Sequence, residues 1–416
     1  MLQRRIGLFR ERSLPRIQER GGVTASEPSR AFLVARIGVA QLVGYGGSYY
    51  LPAILAAPIG RELDLSPNWT FAGLSLALIV SSFIGPAVGR FVDQGGGRSA
   101  LAAANVAFAL GLALLAAAHG LALMVAGWLL IGLGCGLGYY ETAFAALTRL
   151  YGASARRLIS GVTLIAGFTS TVSWPLMAWL EAEIGWRGAC LFWVAANLLI
   201  ALPLNLSLPP PKPTPARNAA PDEDGAHALV LDATAERRAM MAIGLMFTAT
   251  AIVSSGLSAI MPRLLAHFDV STTAAIAASA LIGPAQVVGR LAEMSWLSRY
   301  HPLLSARLAT LFLPLGTMVF AAGGAAFAIP FTMLYGLGNG ILTIARGSLP
   351  LSIFGPAGYG RRVGLLSAPS RIAAAIAPVA VGVLFDASPA AGLVVTAACN
   401  LTGFAALFII AARARG

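Results

Sequence analysis

Charge is scarce in this chain. Asp, Glu, Lys and Arg make up 11% of its 416 residues, while 57% are hydrophobic. A soluble domain carries about 25% and about 45–50% respectively. The shortage excludes an ordinary soluble globular protein, and the mean hydropathy of +0.76 agrees. Cysteine is scarcer still. Cys135, Cys190 and Cys399 fall in apolar segments, which excludes a disulfide framework or a cysteine metal site. No phosphate-cradling G-x-x-x-x-G-K-[ST] loop, His/Cys cluster or nucleophile–base pair stands out. The expectation is therefore no enzyme, no cofactor, no metal and no direct use of ATP. Lysine is nearly absent: Lys212 is the one lysine among 29 basic residues.

What the chain does have is apolar length. A helix needs about 20 apolar residues to cross a ~30 Å hydrocarbon layer. Such segments lie near 36–58, 70–90, 99–118, 121–148, 158–180 and 188–207. After a polar stretch, more follow near 239–262, 272–292, 303–323, 326–354, 363–385 and 389–412. They do not alternate polar and apolar residues, so a membrane β-barrel is excluded. The expected fold is an all-α membrane protein of twelve transmembrane helices in two pseudo-symmetric six-helix bundles.

The expected organisation is a basic tail at 1–35, bundles at 36–207 and 239–412, and a linker at 208–238. The linker, "LPPPKPTPARNAAPDEDGAHALVLDATAERR", has prolines and an acidic run but no apolar density. The tail lacks a signal-peptide core. It reads as an amphipathic surface helix or a disordered basic segment. The net charge of +12 would suggest nucleic acid in a soluble protein. Here the arginines gather in loops on one side of the twelve spans and in both tails. That pattern predicts a multi-pass protein of the bacterial inner (plasma) membrane with both termini cytoplasmic, and no nucleic-acid partner.

The two halves echo each other. "SSFIGPAVGR" at 81–90 returns as "SALIGPAQVVGR" at 279–290. "IGLGCGLGYYETA" at 131–143 returns as "YGLGNGILTIARG" at 335–347, and Arg156-Arg157 as Arg361-Arg362. Echoes in one order at an offset of about 200 residues indicate parallel repeats about an axis along the membrane normal.

With two six-helix repeats, a central linker and "GRFVDQGGGR" after the second span, the chain resembles the major facilitator superfamily. Gly89, Asp93, Gly96 and Arg98 match the signature of that loop, while Gln94 and Gly97 stand where basic residues are usual. The second half keeps Gly289 and Arg290, with Glu293 near the acidic position. Together these seven residues form an expected conformational latch. The bland reading of the loop is a short turn with an exposed Asp93.

Three charges stand inside apolar segments: Glu141, Arg346 and Arg371. Each lies eight or nine residues from a cytoplasmic end, roughly 12–14 Å deep at 1.5 Å per residue. A charge at that depth costs roughly 2.5–3.5 kcal/mol on insertion scales, so each needs a partner or a wet cavity. The resemblance implies that the fourth and tenth spans present Glu141 and Arg346 to a central cavity. Three roles stay open. Glu141 exchanges a proton; Arg346 and Arg371 form a fork for an anion; or Glu141 and Arg346 make a static pair. Tyr45, Tyr49 and Tyr50 on the first span, and Tyr139 and Tyr140 beside Glu141, read as substrate contacts or as packing. Asn339 is a candidate solute contact, though with Thr343 a plain interhelical hydrogen bond is favoured. Pro175 and Pro378 read as kinks.

The expected function is secondary active transport of a small polar or anionic solute by alternating access. The leading reading is proton-coupled efflux. The alternatives are proton symport of an organic anion and a non-transporting receptor of the same fold. The expected partners are the solute, protons and the lipid bilayer, with the monomer as functional unit.

Overall fold

The computed structural model describes residues 29–210 and 232–410. Most of the basic tail and the middle of the linker lie outside the described residues. Within them the chain is helical, without a strand, and makes twelve crossings.

Span 1 consists of Arg30–Gly46 and Pro52–Leu63. Span 2 is Asn68–Phe91 and span 3 Gly97–Ala116. Span 4 is again split, into Leu121–Gly138 and Tyr140–Tyr151. Span 5 begins with Ala155–Ala166 and resumes at Thr169. Span 6 follows after Gly185 and ends at Leu206. In the second half span 7 is Ala233–His267, and span 8 is Thr272–Ala280 with Ile282–Ser295. Spans 9 to 12 are Pro302–Gly323, Ala328–Phe354, Tyr359–Ala387 and Pro389–Ala406.

Seven helical stretches are long and apolar enough to cross a membrane. Several hold more than one crossing because the turns between spans are so tight. Gly95 (φ 107°) reverses the chain between spans 2 and 3, and Gly185 (φ 71°) between spans 5 and 6. L side chains rarely tolerate that backbone region, so glycine permits turns of one or two residues. Spans 1 and 7 start earlier than apolar length suggests. Ser29 accepts a hydrogen bond from the Phe32 N–H (3.2 Å) and Asp232 from the Ala235 N–H (2.6 Å). These N-caps start each helix outside the apolar run. The helices pass through Pro175 and Pro378 without leaving helical backbone angles there. Span 5 is interrupted at Gly167–Phe168, between its two helical pieces.

Each half has its own core. Trp128, Phe108 and Trp193 fill the first, and Phe247, Phe320 and Phe331 the second; all are buried. Spans 3 and 6 are also tied by amides: Asn105 donates to Asn197 (3.1 Å) and Asn205 donates to Asn105 (2.7 Å).

The halves meet most closely where span 2 crosses span 11. Gly85 and Gly89 face Gly360 and Gly364, a small-x-x-x-small pair on each helix. A Cβ on Gly89 would overlap the Gly360 carbonyl oxygen, and one on Gly364 would lie 2.6 Å from the Gly85 oxygen. Higher along the same pair, Ser82 donates to the Ala368 carbonyl and Ser75 to that of Ala375. Beyond that level no hydrogen bond or ion pair joins the halves among the described residues. Other inter-half contacts gather at the Arg-rich end, where Ala155–Ala166 packs on spans 8 and 10.

Candidate functional site

Span 4 is broken where its charge sits. Gly132, Gly134, Gly136 and Gly138 weaken the helix, which stops at Gly138. Tyr139 is extended (φ −73°, ψ 178°), and a new helix starts at Tyr140. Glu141 falls in the first turn of that second helix. A helix N-terminus carries roughly half a positive charge and free N–H groups, which favours a carboxylate there. Backbone groups at a break inside a membrane need partners. The Gln41 amide donates to the Gly138 carbonyl (2.6 Å), and Thr142 to that of Gly136 (3.1 Å). The Tyr140 N–H donates to the Tyr45 hydroxyl (3.5 Å).

Glu141 pairs across the halves with Arg371, at 2.6 Å. Arg371 also donates to the Ser81 carbonyl (3.1 Å) and is 8% exposed. The expected partner, Arg346, does not pair with Glu141. Its guanidinium donates to the Phe247 carbonyl (3.2 Å) and the Thr250 hydroxyl (3.0 Å) of span 7, and lies over the Phe247 ring. Span 7 thus holds Arg346 in its own half. Arg371 reaches across the glycine crossing and passes beside Gly85, whose Cβ position lies 3.8 Å from Arg371 Nη1. Glu141 keeps 29% of its side-chain exposure. At midplane depth, that means it faces open space between the halves.

Aromatic rings wall this space on the first half. Tyr45 stacks on Tyr139 with centroids 4.0 Å apart and lies 4.9 Å from Tyr140. Tyr49 bridges Tyr45 (6.3 Å) and Tyr50 (5.4 Å), and Tyr50 meets Trp174 edge-on. Tyr139 is 4% exposed and shares a hydrogen bond with Ser48 (2.8 Å), so its role is packing. Asn339 accepts from Ser254 of span 7 (3.1 Å), the plain interhelical bond, while Thr343 bonds only its own helix. Neither reaches the Glu141–Arg371 pair.

At the Arg-rich end Asp93 is not an exposed turn residue. Its two carboxylate oxygens accept the N–H groups of Gly360 (2.7 Å) and Arg361 (2.9 Å). Asp93 therefore N-caps span 11 from the opposite half, opposite its helix dipole. Burial raises the Asp93 carboxyl above its ordinary range, against the pull of both N–H groups and of Arg362 and Arg149. The pseudo-symmetric junction uses Glu293, which is 1% exposed, 3.4 Å from Arg156 and bonded by Ser305 (2.5 Å). Arg156 also donates to the Tyr300 carbonyl.

Other expected latch residues lie elsewhere. Arg98 is exposed, because the helix start at Gly97 turns it outward. Gly96 packs under the Phe91 ring, and the positive φ of the turn belongs to Gly95. Gly289 faces the Leu337 carbonyl of its own half rather than the other half. Arg290 points away from the latch, toward Gly167 at the break of span 5.

The sequence model of the Major Facilitator Superfamily matches residues 37–378. The chain belongs to this superfamily. Its twelve-helix fold is shared with the human organic anion transporter MFSD10, with a TM-score of 0.69 at 15% identity over 92% of this chain and all of that one. It is shared also with FucP in its outward conformation, with a TM-score of 0.67 at 17% identity over 91% and 99% of the two chains. Among sequence relatives, an uncharacterized 38 kDa protein from the 23S RNA operon of Thermoproteus tenax is 27% identical over 86% of this chain and 90% of its own length.

Superfamily membership makes the chain a membrane transporter for a small-molecule solute, not an enzyme. Within that fold spans 1 and 4 differ from their repeats, and in the second half it is span 8 that is interrupted, at Leu281. Spans 1, 4 and 5 are broken near mid-depth, whereas spans 7 and 10, the repeats of spans 1 and 4, run unbroken. Broken helices wall the site on the first half, while Arg346 and Arg371 stand on continuous helices of the second. Apolar length and charge missed Gln41, Ser81 and Thr250; for Gln41, the glycine run at 132–138 was the signal for the break it serves.

Proposed function

We propose that the protein is a proton-coupled carrier of a small anionic solute that works by alternating access. The supporting observation is the Glu141–Arg371 pair across the halves. While Glu141 is ionised it occupies the Arg371 guanidinium. Protonation of Glu141 removes that competitor and leaves Arg371 to a carboxylate or oxyanion of the solute, which a guanidinium binds bidentately. Proton and anion then bind together, which is symport. Export by proton exchange, the leading reading of the sequence, needs proton and solute to exclude each other. That suits a cation at Glu141; the arginines around the site suit an anion. With the Arg-rich end cytoplasmic, the closed latch makes this the outward-facing state.

The test is purified protein in vesicles loaded with a pH-sensitive dye. External monocarboxylates and dicarboxylates are each added under an inward proton gradient. The expected result is acidification of the lumen by at least one of them and none by neutral sugars. Alkalinisation on adding solute would replace symport with exchange, and no proton movement with any anion would remove the anion reading.

The latch is the second moving part. Two charge-assisted bonds to Asp93 are worth roughly 1.5–3 kcal/mol each, offset by the cost of burying its carboxylate. Closure is thus strong but reversible. Asp93→Ala is expected to lower transport about tenfold while leaving solute affinity within about twofold, because it changes the gate and not the site. A large change in affinity with an unchanged maximal rate would place Asp93 in binding instead.

A further inference from the structure

Arg290 is the one buried guanidinium of the inter-half region with neither a carboxylate nor a backbone carbonyl partner among the described residues. It is 6% exposed, and its Nε and Nη1 have no acceptor. Its single bond is a long one, 3.4 Å, to the Gln286 side chain one turn away on the same helix. Its head group lies against Gly167, where a Cβ would collide with Nη1. The carbonyls around that break are already engaged. Thr163 and Leu164 accept the Gly167 N–H, Ile165 that of Phe168, and Ala166 the Thr169 hydroxyl. Glu293, one turn from Arg290, is turned to Arg156 and Ser305. Trp174, two turns along span 5 from Gly167, meets Tyr50 edge-on, so one helix carries both the contact of Arg290 and part of the tyrosine wall. Arg290 therefore lies at the span 5 side of the tyrosine wall, and Arg346 adjoins Gly347, which packs on Phe144 and through it on Tyr140. Arg346 also has an unpartnered Nε. With Glu293 engaged by Arg156, the arginines Arg290, Arg346 and Arg371 are balanced between the halves by Glu141 alone, an excess of two positive charges.

An unpaired buried guanidinium is strongly unfavourable unless a partner arrives. We propose that the solute is a dianion, with one anionic group on the Arg346 and Arg371 side and a second on Arg290. This rests on the anionic-solute reading above and narrows it to dicarboxylates or phosphate esters. Arg290 is then a solute-binding residue, and the break at Gly167 exists to leave room for its head group beside the bound solute.

The probes are malonate, succinate and glutarate, each against the monocarboxylate of the same chain length. Binding to the full chain in detergent is followed by thermal shift at constant ionic strength. Wild-type protein is expected to bind the best dicarboxylate at least about tenfold more tightly than its monocarboxylate match. Arg290→Gln should bring that ratio near one, and Arg290→Lys should keep part of the preference. Equal affinities in wild-type protein, or a ratio unchanged in Arg290→Gln, would overturn the dianion. The wild-type comparison needs no variant to fold. Monocarboxylate binding that is lost in Arg346→Gln, with no gain from a second carboxylate, would overturn only the dianion and leave the anion reading standing. No binding by either class would overturn both.

Discussion

Glu141→Gln is expected to abolish uptake driven by a pH gradient while preserving exchange of solute for solute. The amide keeps the shape of the carboxyl and can still accept from Arg371, so the halves still meet. What it loses is a titrating proton. Arg371 is then left to the solute at every pH, because a neutral amide competes for a guanidinium far more weakly than a carboxylate held at 2.6 Å. Solute affinity should therefore rise, by about tenfold at neutral pH. Accumulation against a gradient should fall to the level of empty vesicles, since no proton crosses with the solute. The check is paired: proton-driven accumulation and counterflow on the same vesicles. Full accumulation by the variant would remove Glu141 from coupling. Loss of both activities with an unchanged melting temperature would make the carboxylate a binding group instead.

The sequence carried the architecture and the depth of the charges, but not their rotation. Counting residues from the Arg-bearing ends placed Glu141, Arg346 and Arg371 in one layer. Depth along a helix comes from 1.5 Å per residue; the partner a side chain meets depends on where its helix faces. Repeat symmetry pointed from Glu141 to Arg346. The structure turns Arg346 onto Phe247 and Thr250 of span 7 and sends Arg371 past Gly85 instead. Arg290 was misplaced for another reason. Its Cα lies near the Arg-rich end, so it counted with the latch. Its long side chain runs inward and delivers the charge deeper, the reverse of the usual snorkelling toward water. Gly360 stands just before the apolar run that starts near 363, and Gly364 just inside it. Their role depends on Gly85 and Gly89 of the other half, which no local pattern reveals.

That glycine crossing carries the other large prediction. Gly89→Val is expected to hold the Arg-rich end open and to reduce transport to background. Any Cβ at position 89 would overlap the Gly360 carbonyl oxygen, and that contact is backbone, so no flexible side chain can yield. Spans 2 and 11 must separate, which pulls the Gly360 and Arg361 N–H groups off Asp93. Overpacking costs typically about 1–3 kcal/mol, and the latch bonds add to it. A bias at the upper end of that range moves a two-state equilibrium by more than about tenfold. Position 145 reports on this directly. Ala145 is 2% exposed and lies against Gly360, at 3.1 Å from the position of a Cβ there. The thiol introduced by Ala145→Cys, with Cys399→Ser to remove the half-buried native one, should label slowly in the parent and rapidly with Gly89→Val. Gly289→Val is the control. Its Cβ would meet the Leu337 carbonyl at 2.5 Å, but within its own half. It should lower the melting temperature without exposing the introduced thiol, because its clash lies within one bundle and away from the crossing of spans 2 and 11. Unchanged labelling with Gly89→Val would mean that the crossing of spans 2 and 11 is not part of the gate.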